Sequence, residues 1–184
     1  KQLKASYRPT FWNADSGWLA GWRCQDDRLH DYAFMHVNGT AVREGLLAPR
    51  EARSVMARLL AEADRVKMPD PGLGLPMNLW PIPDEDRADI LQGYPFGYYQ
   101  NGGRTHSQTR HFVMALYAVG LNTEADQMLE RLCVGFAEAS TFGGNRTGVD
   151  WRAWDDTPCG YEGLLTDQFG LLEAILWRWG KKSS

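Results

Sequence analysis

Two stretches of this chain carry apolar side chains at the spacing of one helix face, and the two stretches resemble each other. Apolar residues at i, i+3, i+4 and i+7 indicate an amphipathic helix. The two stretches are residues 51–66, with Ala52, Val55, Met56, Leu59, Leu60 and Ala63 on one face, and residues 123–139, with Ala125, Met128, Leu129, Leu132, Cys133 and Phe136. Each stretch follows a shorter helical one, 37–47 or 105–119, that ends near a glycine, the residue type that commonly stops a helix. The sequence therefore predicts a repeated helix–turn–helix hairpin.

A fifth helix is predicted over residues 165–179, where apolar side chains again follow helical spacing. Amphipathic hairpins cannot bury their apolar faces alone, so they stack side by side. We therefore expect an all-α fold of stacked αα-hairpins. The exception is a small β-hairpin near the N-terminus, over residues 11–23, that turns at Asp15-Ser16-Gly17. A length of 184 residues fits one domain, spanning residues 1–184.

Composition excludes several classes of protein. A hydrophobic fraction of 43% argues against disorder, and no apolar run approaches the roughly 20 residues that span a bilayer. A net charge of −3 without runs of Lys or Arg gives no case for nucleic acid. The three cysteines lie far apart with no CxxC pair, which predicts neither a disulfide framework nor a zinc site and favours a reducing, cytoplasmic location. No metal and no cofactor are predicted.

The connections between the predicted hairpins are long and rich in aromatic residues. They cover residues 1–36, 67–104 and 140–163, and in a stack of hairpins they emerge at the same end. Loops of this length are usually functional or disordered. These carry Trp12, Trp18, Trp22, Trp80, Trp151, Trp154, Tyr7, Tyr32, Tyr94, Tyr98, Tyr99 and Tyr161. In any one segment the rings could simply anchor the loop, but three such loops at one end favour a binding cleft.

The chemistry of these loops suits a neutral polyhydroxylated ligand. Aromatic faces stack on the C–H faces of a sugar, while carboxylates, amides and guanidinium groups take its hydroxyls. The expected stacking residues are Trp12, Trp18, Trp22, Tyr98, Tyr99, Trp151, Trp154 and Tyr161. An oligosaccharide is therefore the predicted partner.

Five short motifs carry a resemblance to a known family. They are Phe11-Trp12 with Gly17-Trp18, His30-Asp31-Tyr32, Val37-Asn38-Gly39, Tyr98-Tyr99-Gln100-Asn101-Gly102-Gly103, and Gly160-Tyr161-Glu162-Gly163 with Phe169-Gly170. Together they resemble the C-terminal part of the six-hairpin glycosidases, the (α/α)6-barrel hydrolases and phosphorylases that include glycogen-debranching, trehalase and cellobiose-phosphorylase relatives. The resemblance implies a partial (α/α) toroid. Because about two and a half of six hairpins are present, it also implies a missing N-terminal half or a homodimer.

The resemblance further implies an inverting glycoside hydrolase. Such enzymes place a general acid and a general base on opposite sides of the glycosidic bond. The position that matches the family's base is Glu162, although a carboxylate there would also suit a helix N-terminus. Asp15, Asp31 and Asp155 are the candidates for the acid, and Gln100 and Asn101 would hold sugar hydroxyls.

Two alternatives stay open from the sequence. One is a sugar isomerase of the N-acylglucosamine-epimerase type, which would need a pair of histidines in the cleft, drawn from His30, His36, His106 and His111. The other is a half-barrel that binds a sugar or a partner chain without catalysis.

Overall fold

A computed structural model describes residues 2–137, 150–160 and 165–180. Its six helices are α1 (Gln2–Phe11), α2 (Met35–Arg43), α3 (Pro49–Arg65), α4 (His106–Ala118), α5 (Asn122–Ala137) and α6 (Leu165–Trp179). The five predicted helices are confirmed, with ends that differ by a few residues. Helix α1 was not predicted.

Within the residues that the structure describes, eight strands of two residues each lie between the helices. They are β1 (Trp12–Asn13), β2 (Trp18–Leu19), β3 (Trp22–Arg23), β4 (Leu29–His30), β5 (Leu75–Pro76), β6 (Arg104–Thr105), β7 (Trp151–Arg152) and β8 (Pro158–Cys159). Strands β1–β2 and β3–β4 form two hairpins, and β5-β6-β7-β8 form a four-stranded antiparallel sheet in that order. The pairing of Trp12 with Leu19 and of Asn13 with Trp18 confirms the predicted β-hairpin.

The expectation of an all-α fold, a partial (α/α) toroid, is wrong. The chain is mixed, with 53% of its residues in helices and the long connections paired into small antiparallel sheets. The four-stranded sheet takes β5 and β6 from the connection before α4 and β7 and β8 from the connection before α6. Strands of two residues are too short to show the alternation by which a strand is recognised in a sequence.

Helix α4 is the centre of the helical layer. Helices α2 and α6 both pack along it, while α3 lies against α2 and α5 lies against α4. A glycine permits each of the two close approaches to α4. The nearest groups to a Cβ built on Gly39 of α2 are backbone atoms of Phe112, and for Gly170 of α6 they are the carbonyl oxygen of His106 and the side chain of Arg110.

The predicted apolar stripes of α3 and α5 face the core. Their buried members are Ala52, Val55, Met56, Leu59 and Ala63 in α3 and Ala125, Met128, Leu129 and Leu132 in α5. Pro49 occupies the first turn of α3, where its fixed φ suits a helix start. The glycines at 45 and 120 that end the predicted hairpin helices adopt positive φ of 66° and 75°.

Helix α6 behaves differently from the other amphipathic helices. Phe169, Leu172, Leu176 and Trp179 of its predicted stripe are 68%, 49%, 56% and 54% exposed, whereas Ala174 and Gly170 turn toward α4. Helix α6 thus packs through its small residues and through Leu171, Ile175 and Trp177, which lie against the core, while four large apolar side chains of its stripe face outward. Within the described part of the chain, no helix combines the length and the apolar character needed to cross a membrane.

Candidate functional site

Two cavities that share wall residues open among α2 and the connections that precede α2, α4 and α6. The first has a volume of about 370 Å³ and the second a volume of about 250 Å³. They share two wall residues, Met77 and Gln100. The volume of the first cavity falls within the range of small-molecule pockets. Because the two cavities share wall residues, we treat them together as one candidate site.

A tight turn carries Gln100 to the boundary between the cavities. The amide of Asn101 donates to the carbonyl of Tyr98 at 3.0 Å, and the amide of Gly97 donates to the carbonyl of Asn101 at 2.7 Å. Tyr99 adopts a positive φ of 46° in this turn. A Cβ on Gly103 would lie only 2.2 Å from the carbonyl oxygen of Tyr99, so the turn requires glycine there. The predicted Tyr-Gln-Asn-Gly-Gly motif is therefore a turn that presents side chains to both cavities.

Four rings, which we call the aromatic row, run along this boundary: Tyr94, Tyr98, Trp151 and Tyr99. Tyr94 and Tyr98 stack with centroids 4.1 Å apart, Tyr98 meets Trp151 edge-on at 4.9 Å, and Tyr99 lies 5.7 Å from Trp151. Tyr94 and Tyr98 line the first cavity, while Tyr99 and Trp151 line the second. The row therefore offers apolar ring surface to both cavities.

The polar side chains at the cavities fall into two groups. Committed side chains already have a hydrogen-bond partner within the protein, and uncommitted side chains have none among the described residues. The side chain of Asn101 is committed, because its Oδ1 accepts a hydrogen bond from the backbone amide of Ile82 at 2.8 Å. Asn101 is also buried, with 6% of its surface exposed. Gln100 is exposed and Gln108 is half-buried, and neither amide side chain has a hydrogen-bond partner among the described residues. The two uncommitted glutamines both line the second cavity.

One wall of the first cavity is an ionised carboxylate, Asp86. It accepts from His30 Nδ1 at 2.5 Å and from the hydroxyl of Tyr32, with Arg28 at 3.5 Å. Burial alone would raise the pKa of Asp86, but the hydrogen bonds from Tyr32 and His30 outweigh it and hold the pKa below its ordinary value. Asp86 is therefore suited to accept hydrogen bonds and not to donate a proton.

Several residues that the sequence assigned to saccharide stacking lie elsewhere. Trp18 is 4% exposed and belongs to the core, so its ring face cannot meet a ligand. Trp12 lies under the guanidinium of Arg8, at 4.6 Å. Trp154 packs on Phe96 at 4.8 Å. None of the three is among the residues that line the two cavities.

The remaining stacking candidates have mixed outcomes. Trp22, Tyr98, Tyr99 and Trp151 do line the cavities. Tyr161 lies outside the described residues, as does the predicted base Glu162, so the structure places neither of them.

The three candidates for the general acid are not placed for that role. Asp31 accepts four hydrogen bonds, three from side chains of the β1–β2 hairpin (Asn13, Ser16 and Trp18) and one from the amide of Ala33. Asp15 is exposed on the turn of the same hairpin. Asp155 is exposed, and hydrogen bonds from Thr157 lower its pKa, whereas a general acid needs a raised one.

Sequence reasoning missed Asp86, Asp150 and Gln108 as cavity residues. Asp86 belongs to an Asp-Glu-Asp run of the kind that is common on protein surfaces. No neighbouring tryptophan in the sequence distinguishes it as a carboxylate that faces a ligand. Asp150 directly precedes Trp151, and that adjacency was the available signal. Within the described residues, no group of three His, Cys, Asp or Glu side chains is arranged to hold a metal ion.

The chain matches no protein-family model, no curated protein and no solved structure in comparisons with known proteins.

Proposed function

We propose that the chain binds a saccharide across the two adjoining cavities. The observation that carries the proposal is the aromatic row that lines both cavities, together with the uncommitted amides of Gln100 at their shared wall and of Gln108 in the second cavity. Ring faces take the apolar face of a pyranose, and unpaired amides supply both donors and acceptors for its hydroxyls. A charged ligand would instead call for a cluster of unpaired cations or anions at the cavities.

The reaction that we propose for this site is hydrolysis of a glycoside, with Glu162 as the base that activates water. This step rests on the Gly-Tyr-Glu-Gly motif and not on geometry. Asp150, which lines the second cavity beside Trp151, is the described carboxylate that we favour as its partner. Hydrolysis by inversion requires two carboxyl groups about 6.5–9.5 Å apart.

A sugar isomerase is disfavoured by the placement of the histidines. His36 is the one histidine among the described residues that line the two cavities. His106 is 2% exposed within the core and His30 is bound to Asp86. An isomerase that uses a pair of histidines has no such pair at these walls.

Binding is tested by titrating maltotriose, cellotriose and trehalose into the protein by calorimetry and by NMR. Gln100→Ala and Gln108→Ala each remove hydrogen-bonding groups from the cavities. We expect either change to lower the affinity for the saccharide that binds by about three- to tenfold, which corresponds to the loss of one or two net hydrogen bonds. Gln127→Ala, at an exposed position of α5, is the matched control and should leave affinity unchanged. Equal affinity in all three variants would refute the site.

Hydrolysis is tested separately by following release of reducing sugar from the saccharide that binds. Glu162→Gln should abolish turnover while leaving affinity within about tenfold. Binding without turnover in the unaltered protein would keep the saccharide site and discard the hydrolase. Turnover that survives Glu162→Gln would discard the role of Glu162.

A further inference from the structure

We propose that Cys24 is an activated thiol and a site of covalent modification by peroxides, with His30 as its base and Asp86 as the residue that positions His30. The three side chains form a continuous chain of contacts. Cys24 Sγ lies 3.1 Å from His30 Nε2, and His30 Nδ1 lies 2.5 Å from Asp86 Oδ2. The proposal does not require that a saccharide binds, although Asp86 also lines the first cavity.

Separate segments bring the three groups together. Cys24 directly follows β3 and His30 ends β4, so the antiparallel pairing of these strands sets the distance between thiol and ring. Asp86 ends a short 3-10 turn, Asp84–Asp86, more than fifty residues further along the chain. A thiol, an imidazole and a carboxylate in this order form the arrangement in which a base activates a nucleophile and a third group orients the base.

The contact with Asp86 fixes which nitrogen of His30 is free to act as the base. Hydrogen bonds from Tyr32 and His30 outweigh the effect of burial and keep the pKa of Asp86 low, so this carboxyl is an acceptor at neutral pH. His30 Nδ1 therefore carries the ring proton and donates it to Asp86. The lone pair of Nε2 is left facing the thiol, which is the tautomer that a base toward Cys24 needs.

The ring of His30 packs against the indole of Trp22 and is almost fully buried. The indole of Trp22 stacks on the imidazole with centroids 4.8 Å apart and planes 9° apart. An aromatic face attracts a cation that lies over it. The side chains of His30 and Asp86 are 3% and 8% exposed, so water screens their interaction weakly.

The proposed step is balanced by the residues and one peroxide molecule. His30 Nε2 takes the proton from Cys24 as the sulfur attacks one peroxide oxygen, an S–O bond forms and the O–O bond breaks. The departing hydroxide takes that proton from Nε2 and leaves as water. The thiol is oxidised by two electrons to a sulfenic acid and the peroxide is reduced, with His30 returned to its starting state.

The chain contains its own comparison, because Cys24, Cys133 and Cys159 are all free and all of intermediate exposure. Access alone does not distinguish them. Burial raises the pKa of the Cys133 and Cys159 thiols. Among the described residues, neither of these two sulfurs contacts a histidine, and that of Cys159 lies 3.5 Å from the carbonyl of Thr157.

The experiment exposes the native chain to hydrogen peroxide at pH 7, traps sulfenic acid with dimedone, and quantifies each cysteine by mass spectrometry. We expect Cys24 to be labelled at least tenfold faster than Cys133 and Cys159. Equal rates at the three cysteines would overturn the proposal. This comparison needs no substitution.

Three variants separate the roles in the chain of contacts. His30→Gln should lower labelling of Cys24 at least tenfold, and an unchanged rate would overturn the role of His30. His111→Gln, in α4, is the matched control, because it makes the same substitution outside the chain of contacts, so the rate should be retained.

Asp86→Asn tests whether Asp86 positions His30, through the pH dependence of the labelling of Cys24. Its amide would favour the wrong tautomer of His30, so labelling of Cys24 should fall at pH 7 and recover near pH 9.5, where thiols ionise without a base. A loss of Cys24 labelling that persists at high pH would contradict the role of Asp86 in positioning His30. If a variant unfolds, labelling of Cys133 and Cys159 rises with it, and the comparison of the three cysteines in the unaltered chain then decides.

Discussion

The indole N–H of Trp18 donates to Oδ1 of Asp31 at 2.9 Å, and the contact turns two residues that the sequence assigned to catalysis and stacking into one structural unit. The same carboxylate accepts from the amide of Ala33 at 3.0 Å and, through Oδ2, from Asn13 and Ser16. Asp31 thus fastens the β1–β2 hairpin to the segment that leads into α2.

Asp31→Asn should destabilise the fold. An asparagine amide presents two donors where the carboxylate accepts on both oxygens, so two of the four donors lose their acceptor. We expect the free energy of unfolding, measured by urea titration, to fall by about 2–3 kcal/mol. Asp15→Asn, on the exposed turn of the same hairpin, should change it by less than about 0.5 kcal/mol. Equal effects of the two changes would show that the four hydrogen bonds do not stabilise the hairpin.

The approach of two helices to α4 gives a second prediction. A Cβ at Gly39 would lie 2.8 Å from the backbone nitrogen and Cα of Phe112, atoms that cannot move without shifting α4. At Gly170 the nearest atom would be the carbonyl oxygen of His106, at 3.3 Å. Alanine favours a helix over glycine by about 0.5–1 kcal/mol. Gly39→Ala should therefore cost about 1–3 kcal/mol through overpacking, while Gly170→Ala should lie near zero, as measured by thermal unfolding. A neutral Gly39→Ala would mean that α2 and α4 are not in this contact.

The helices were the predictable part of the fold, for a physical reason. In α3 the burial of Val55, Met56 and Leu59 repeats over several turns, so the pattern survives errors at any one position. The strands offered no such redundancy. Strand β6, for example, is held by its pairing with β5 and β7, and those partners lie far away in the sequence. In α6 the apolar spacing predicted a helix correctly but gave no information on which face would pack.

Two histidines, His106 and His111, make the free energy of unfolding depend on pH in a range above the pKa values of the carboxyl groups. Burial lowers the pKa of His106 from 6.5 to about 3, and burial with the nearby Arg43 and Arg110 lowers that of His111 to about 4. As the pH falls below 6.5, the unfolded chain therefore takes up protons that the folded chain does not. Protonation favours the unfolded state, and stability falls as the pH falls toward 4.5.

The magnitude of this dependence can be measured by urea titration between pH 7 and pH 4.5. The fully buried His106 should contribute up to about 1.4 kcal/mol per pH unit below its unfolded pKa. His106→Gln should reduce the slope by about that amount, whatever it does to stability at pH 7. The carboxyl groups with lowered pKa values, such as Asp70 and Asp126, titrate below this window. A slope that is unchanged in His106→Gln would contradict the burial of an uncharged His106.

The site was predictable where local sequence alone builds it. The turn around Gln100 depends on glycines within a few residues, so its motif is evident from the sequence itself. Asp86 and Trp18 show the opposite case. Asp86 lines the first cavity and accepts hydrogen bonds there from Tyr32 and His30, and Trp18 is buried because the hairpin folds onto the core. Both outcomes depend on contacts between distant segments, which spacing along the chain does not record.

Arg104 joins the segments that frame the second cavity, and its removal should loosen them. Its side chain is fully buried, donates to the carbonyls of Asp70 at 3.1 Å and Ala153 at 3.3 Å, and pairs with Asp156. Arg104→Met keeps the length and apolar character of the side chain but leaves both carbonyls without this donor. We expect a loss of about 1–3 kcal/mol and faster hydrogen exchange at the amides of residues 151–159. Arg53→Met is the matched control, since the exposed Arg53 makes one surface contact, to the carbonyl of Val119 at 2.6 Å, and should leave exchange in that segment unchanged. Protection of residues 151–159 that survives Arg104→Met would show that strand pairing alone holds this wall of the cavity.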